Sequence, residues 1–179
     1  MHAIVSLLPQ PIYREVEEIW DQLEQEFGLQ GVRPARFPHF SWQGARDYDE
    51  SALEKTLSRF AAQIHPFKVH TTGLGVFSGA QPVLFIPVIK TRQLADLHRK
   101  IWHDLESDGS GINPYYCPDN WTPHISLALT DLTTATIGPV IETLALKTFN
   151  WEFEVDNLAH IFISEEGVGG IRIRKDFTG

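Results

Sequence analysis

The sequence predicts an α+β protein made of two pseudo-symmetric lobes, each an antiparallel or mixed sheet with outer helices, and a groove between them. Three observations carry the prediction. Short apolar runs bounded by Pro and Gly alternate with segments whose apolar residues recur at helical spacing. The order of those segments occurs twice. Each occurrence begins with the same pattern, Pro-His-apolar-Ser-apolar, at 38–42 and again at 123–127, so that His124 follows His39 by 85 positions.

The elements follow in chain order. Residues 3–8 form an apolar strand closed by Pro9-Gln10-Pro11. Between Ile12 and Phe27, Val16, Ile19, Trp20, Leu23 and Phe27 mark one face of a helix, while Glu15, Glu17, Glu18 and Asp21 mark the other. Pro38 forces an extended lead into the segment His39 to Gln43. Asp49 or Ser51 caps a second helix with the stripe Leu53, Leu57, Phe60, Ala61 and Ile64. Strands are expected over 67–72, 74–78 and 83–89, with a hairpin at Gly79 to Pro82.

Leu94, Leu97, Ile101, Trp102 and Leu105 define a third helix, and a strand runs from His124 to Leu129. A helix near 134–146 is weakened by Gly138 and Pro139, and strands over 151–155, 159–164 and 171–177 complete the chain. The internal match extends to detail. Phe67-Lys68-Val69 precedes Phe153-Glu154-Val155 by 86 positions, and Ala3 to Phe27 is echoed by Val83 to Leu105. Two copies of so long a unit describe one bilobal domain over 1–179 rather than a solenoid.

Composition removes several function classes. Apolar residues at 42% and charged residues at 21% of the 179 are ordinary globular values. No apolar run approaches the ~20 residues that span a bilayer, so no membrane partner is expected. The net charge of −8 argues against tight binding of a long polyanion such as duplex DNA, whose affinity depends on many Lys and Arg. A lone Cys117 excludes an intramolecular disulfide, and the start of the chain has no basic segment of the secretory kind; a cytoplasmic monomer is the expectation.

In a strand, successive side chains alternate faces, so His39 shares a face with Ser41, and His124 with Ser126. Phe40, Trp42, Ile125 and Leu127 then point into the interior. Two such motifs would arise together by chance in only about one chain in a hundred. His70-Thr71-Thr72 has the hydroxyl spacing without the apolar flanks. The alternative reading, two structural strands whose His and Ser bond each other, suits a single motif better than a matched pair.

The paired motifs, their spacing and the duplicated strand-helix pattern resemble the two-histidine (2H) phosphoesterase superfamily, in its bacterial 2'-5' RNA ligase and cyclic nucleotide phosphodiesterase branch. Trp121 to Leu127 is the most specific part of the resemblance. Both motifs carry Ser where Thr is commoner in that family, which keeps the hydroxyl. The resemblance implies a phosphoesterase acting on a 2',3'-cyclic phosphate or a 2'-5' linkage in a small nucleotide or RNA end, without a metal or cofactor. Its chemistry suits the residues. One imidazole of ordinary pKa ~6.5 serves as base and the other as acid, while Ser41 and Ser126 donate to phosphate oxygens. The near symmetry leaves open which His does which.

Other residues have two readings each. Arg33 and Arg36, just before the first motif, can contact a substrate phosphate or lie solvated in their loop. Tyr115, Tyr116 and Trp121, before the second motif, can stack a nucleobase or brace the loop against the core. Arg172 and Arg174 share a face of the last strand. His65, His70, His98, His103 and His160 show no metal-ligand spacing, and Gly167 to Gly170 reads as a hairpin turn rather than a phosphate loop. Two rival functions remain: a non-catalytic nucleotide or RNA-end binding module in the same groove, and a metal-dependent hydrolase, against which the lack of carboxylate clusters near the two His argues.

Overall fold

A computed structural model describes residues 2–164 and 167–179. Its elements run β1 (His2–Leu7), α1 (Ile12–Phe27), β2 (His39–Ala45), β3 (Asp47–Tyr48), α2 (Glu50–Ala61), β4 (Phe67–His70), β5 (Gly75–Phe77) and β6 (Val83–Pro87). Then follow α3 (Arg92–Leu105), β7 (Gly109–Ser110), β8 (His124–Ala128), α4 (Ile137–Ala145), β9 (Glu152–Val155), β10 (Asn157–Ile163) and β11 (Gly169–Asp176). Single 3-10 turns at Arg33–Ala35 and Pro114–Tyr116 precede the two motif strands.

Local chemistry explains the helix ends. Gly28 closes α1 in the left-handed region (φ 71°), which costs a glycine little, and its N–H returns to Glu24 and Leu23. Asp49, one of the two expected caps, accepts from the Ala52 N–H at 2.9 Å. Gly138 and Pro139 fall in the first turn of α4, where a missing N–H breaks no helical bond.

Two sheets dominate, with strand orders β11-β10-β1-β2 and β5-β6-β8, and every pairing within them is antiparallel. The copies do not simply form one lobe each. β1 and β2 of the first copy are joined by β10 from the second, while β6 and β8 of the second are joined by β5 from the first. The helices cross as well: α1 packs on β8, and α3 on β2. Each copy therefore completes the other's sheet, which ties the halves together.

The registers match across the halves. Leu7 pairs with His39 and Val5 with Ser41; Pro87 pairs with His124 and Phe85 with Ser126. Between the sheets, β4 and β9 pair so that Phe67 meets Val155 and Val69 meets Phe153 around the central pair Lys68 and Glu154. Those residues are sequence counterparts, so this ladder lies on the relation between the copies. Trp42, Phe40, Ile125 and Leu127 are all buried, as the alternation requires.

Candidate active site

Both motif strands begin at a proline, and that residue shapes the site. Pro38 and Pro123 lack an N–H, but their carbonyls still join the ladder, accepting from Leu8 at 3.0 Å and Val88 at 2.9 Å. The carbonyl one residue earlier turns to the histidine. His39 Nδ1 lies 2.5 Å from the Phe37 oxygen, and His124 Nδ1 lies 2.7 Å from the Thr122 oxygen. A carbonyl only accepts, so each Nδ1 carries a proton and each Nε2 is left with its lone pair. The tautomer is set twice by the same backbone device.

Indole donors fix the serines from behind. Trp121 Nε1 donates to the Ser41 carbonyl at 2.9 Å, and Trp20 Nε1 to the Ser126 carbonyl at 3.0 Å. Tyr116 lines the same cavity as Ser41, and its ring lies 3.2 Å from where a side-chain carbon at Gly44 would sit. Asn157, which is 1% exposed, extends the first sheet where its ladder stops: its amide accepts from the Leu7 N–H at 2.9 Å and donates to the Leu7 carbonyl at 3.0 Å. Leu7 is the partner of His39, so this clamp holds the strand that holds the imidazole.

His39, Ser41, His124 and Ser126 line one cavity of about 290 Å³, with Asn113 and Tyr116 and apolar walls from Val32, Ala35, Val83 and Ile161. A second cavity of about 590 Å³ shares His124, Asn113, Tyr116 and Val83 with it and adds Phe77, Gln81, Tyr115 and Asn120. Among the described residues, no Lys, Arg, Asp or Glu lines either cavity. Burial pushes the His39 imidazole down to about 4; its bond to Phe37 opposes the shift and the nearby His124 adds to it. Burial lowers His124 as well, again against its carbonyl bond. Without a ligand, both imidazoles are neutral at pH 7.

The remaining sequence-selected residues separate. Tyr115 is 80% exposed and borders the larger cavity. Trp121 is buried, its indole 3.8 Å above the His98 ring and nearly parallel to it, so it braces the loop, although its edge reaches the larger cavity wall. Arg33 is held by Asp21 at 2.5 Å and by Glu24 at 2.7 Å, and Arg36 borders a shallow depression with Gly167 and Val168; neither lines the His-Ser cavity. Arg172 pairs with Glu50, and Arg174 with Asp176. His98 and His160 are fully buried, His98 Nε2 bonding the Trp42 carbonyl at 3.0 Å and His160 bonding His2 at 2.9 Å. Among the described residues, no three His, Cys, Asp or Glu are grouped to hold a metal ion.

Sequence reasoning missed Asn157, Phe77 and Trp20. For Phe77 a signal existed, since it lies in the segment matching Phe162-Ile163-Ser164 and is aromatic at a place where its counterpart is aliphatic.

A duplicated α+β frame that presents two His-x-Ser strands to one cavity defines a two-histidine protein. The family model of the 2'-5' RNA ligase superfamily matches residues 8–165, and the chain belongs to that superfamily. The fold agrees. A structure of TT0787 from Thermus thermophilus aligns over 98% of this chain and 97% of its own with a TM-score of 0.70 and 17% identity. LigT from E. coli, solved with 3'-AMP, aligns over 99% and 98% with a TM-score of 0.65 and 17% identity. Usb1 from Kluyveromyces marxianus aligns over 98% and 97% at 0.53 and 13%. No curated protein sequence matches the chain.

Proposed function

We propose that this protein is a phosphoesterase that opens 2',3'-cyclic phosphates, or acts on 2'-5' linkages, in nucleotides or RNA ends, with His39 and His124 as its acid/base pair. The observation that carries the proposal is the matched pair of imidazoles, each with Nδ1 fixed on a backbone carbonyl and each lining the shared cavity. A phosphodiester between them has one Nε2 on each side. One imidazole removes a proton from the attacking oxygen while the other, protonated, delivers one to the leaving oxygen. The bound phosphate anion raises the pKa of the imidazole that carries the proton, which offsets the lowering by burial.

Ser41 and Ser126 donate to the non-bridging oxygens as charge builds on them. LigT was solved with a nucleotide, which supports a nucleotide-sized occupant here. The reaction takes place inside the cell and the substrate is single-stranded or mononucleotide in size; an RNA end fits the −8 chain better than a long duplex.

The test is turnover of nucleoside 2',3'-cyclic phosphates with EDTA present. The intact protein is expected to turn over, and His39→Ala and His124→Ala to lose about 10²-fold or more each. A loss below tenfold in either variant, with the protein folded, removes that imidazole from the mechanism.

A further inference from the structure

Just past each motif strand, a residue grips the loop that leads into the other half's motif. After β2, the Arg46 N–H donates to the Ser110 and Gly111 carbonyls at 3.0 and 3.2 Å. There begins the loop that carries Asn113, Tyr116 and the Thr122 carbonyl to His124. After β8, one carboxylate oxygen of Asp131 accepts from the Gln30 and Gly31 N–H groups, each at 2.6 Å. There begins the loop that carries Val32, Ala35 and the Phe37 carbonyl to His39. The two gripping residues are counterparts, since Asp131 follows Arg46 by 85 positions as His124 follows His39.

The grips differ in kind. On the loop before His124 the ties are spread over many groups: the Arg46 N–H, the β3-β7 ladder, the Asn113 N–H on the Gly44 carbonyl at 2.8 Å, and Lys90 on the Pro118 and Trp121 carbonyls. On the loop before His39 one side chain makes the tie. Its short N–H bonds are charge-assisted and stronger than neutral ones. Local geometry serves the contact: Thr130 is left-handed (φ 72°), and a Cβ on Gly31 would lie 1.8 Å from the Leu129 carbonyl oxygen, an approach open only to glycine. The second Asp131 oxygen is buried without a hydrogen-bond partner, a cost that selection for stability alone does not favour.

From Gly31 the grip reaches the imidazole through a run of turns. The Arg33 N–H donates to Gln30, Ala35 to Val32, Arg36 to Arg33 and Phe37 to Ala35, all between 2.8 and 3.1 Å. The other tethers are the partly exposed ion pairs of Arg33, which contribute little, and Phe37 packed on Val5, Leu7, Ala159 and Ile161. Apolar packing is not directional, so the aim of the Phe37 carbonyl is left to the turns.

Resting on the phosphoesterase reading above, we infer that Asp131, which belongs to the His124 half, is a positioning residue for His39: it anchors the loop that aims the Phe37 carbonyl at the imidazole. Each half thereby orients the other's histidine, and the two imidazoles keep a fixed relation to one phosphate. An aimed carbonyl keeps the proton on Nδ1; a misdirected one lets it move to Nε2, which then has no lone pair. Asp131 does not line the cavity, so its effect is on orientation and proton placement.

The first measurement uses no substrate. Ring nitrogen NMR shifts of His39 and His124 are recorded at about pH 8, where an ordinary imidazole is neutral, in the intact protein, Asp131→Ala, Asp131→Asn and Gly31→Ala. Both rings of the intact protein are expected to show one tautomer, protonated on Nδ1. In Asp131→Ala and Gly31→Ala the two nitrogen shifts of His39 are expected to move toward each other, while those of His124 stay in place. Asp131→Asn keeps an acceptor oxygen and is expected to remain near the intact protein. Unmoved His39 shifts in the folded variants, or equal movement of both histidines, overturn the positioning role. Asp131→Ser, a milder truncation, repeats the test if Asp131→Ala and Gly31→Ala do not fold.

The second measurement is turnover of a nucleoside 2',3'-cyclic phosphate. Asp131→Ala is expected to lower kcat at least about tenfold with KM within about threefold, and Asp131→Asn to recover kcat to within about threefold. A raised KM with kcat unchanged overturns the role, since it makes the loop a cavity wall only. The expected tautomer change without turnover by the intact protein keeps the grip and removes the phosphoesterase reading.

Discussion

The strand pair β1-β2 and the strand pair β6-β8 are built on one plan and differ in what surrounds it. Proline, histidine, buried apolar residue and serine coincide, and so do the carbonyl on Nδ1, the indole on the serine carbonyl and the ladder register. The flanks diverge: the Asn157 clamp stands on the His39 side, and the stacked Phe77 and Phe85 rings stand against His124. In the proposed mechanism two imidazoles meet one phosphorus from opposite sides, a task that the matched cradles suit.

The sharpest way to break the shared part is through the hydroxyls. If both serines donate to the phosphate in the transition state, Ser41→Ala and Ser126→Ala each lower kcat by about 10²-fold, in steady-state kinetics on a cyclic phosphate. The Tyr116 phenol, which lines the cavity with Ser41, adds an asymmetry: Tyr116→Phe is expected to lower kcat severalfold, and to change little once Ser41 is already Ala. A large effect at one serine only would mean that the phosphate is held by one half.

Next in size is the clamp found in the first sheet. Asn157→Ala leaves the Leu7 N–H and carbonyl unpaired in a buried place, at a cost of about 3 kcal/mol in urea unfolding. Nothing in the sequence pointed to it. An asparagine before an apolar run reads as a turn residue, and only the end of the β1-β10 ladder at Val5 and Ala159 gives its amide a strand to close. The same limit explains other differences. Alternation and helical spacing are local, so the longer strands, the four helices and the inward Phe40, Trp42, Ile125 and Leu127 were legible, whereas the two-residue strands β3 and β7 were not. Which copy supplies the third strand of each sheet is a matter of long-range pairing and was not. Trp121 shows the boundary well: the residue stood out beside the second motif, but its burial against His98 follows from α3 lying on the other half's sheet.

Acid should separate the halves further. Burial lowers His39, His98 and His160 to about 4, and it lowers His2 too; all four lie in or against the first sheet, whereas His124 is the lowered histidine of the second. The unfolded chain titrates them near ~6.5. Above that pH they are neutral in both states and stability is complete. As pH falls from about 6.5 to about 4, the unfolded chain takes up protons that the folded chain refuses, so stability declines by up to about 1.4 kcal/mol per pH unit for each group. The expected result is a falling Tm over this range, with hydrogen exchange at pH 4.5 releasing amides of β1, β2 and β10 before those of β6 and β8. His98→Gln, which keeps a polar side chain without the titration, should flatten the slope.

The smallest expected effect concerns charge. A phosphate site is commonly read for its cations, and Arg33 and Arg36 stand just before the first motif. Yet Arg33 is already shared between Asp21 and Glu24, and the cavities have no charged lining among the described residues. A phosphodiester has one negative charge, which hydroxyls and a single imidazolium can balance; an extra guanidinium would hold the ground state as firmly as the transition state. Arg33→Ala is therefore expected to change kcat/KM by less than about threefold, and mononucleotide affinity to fall no more than about threefold between 50 and 200 mM salt, the slope of roughly one neutralised charge. A steep salt dependence abolished by Arg33→Ala would instead place a longer RNA across the His39 side.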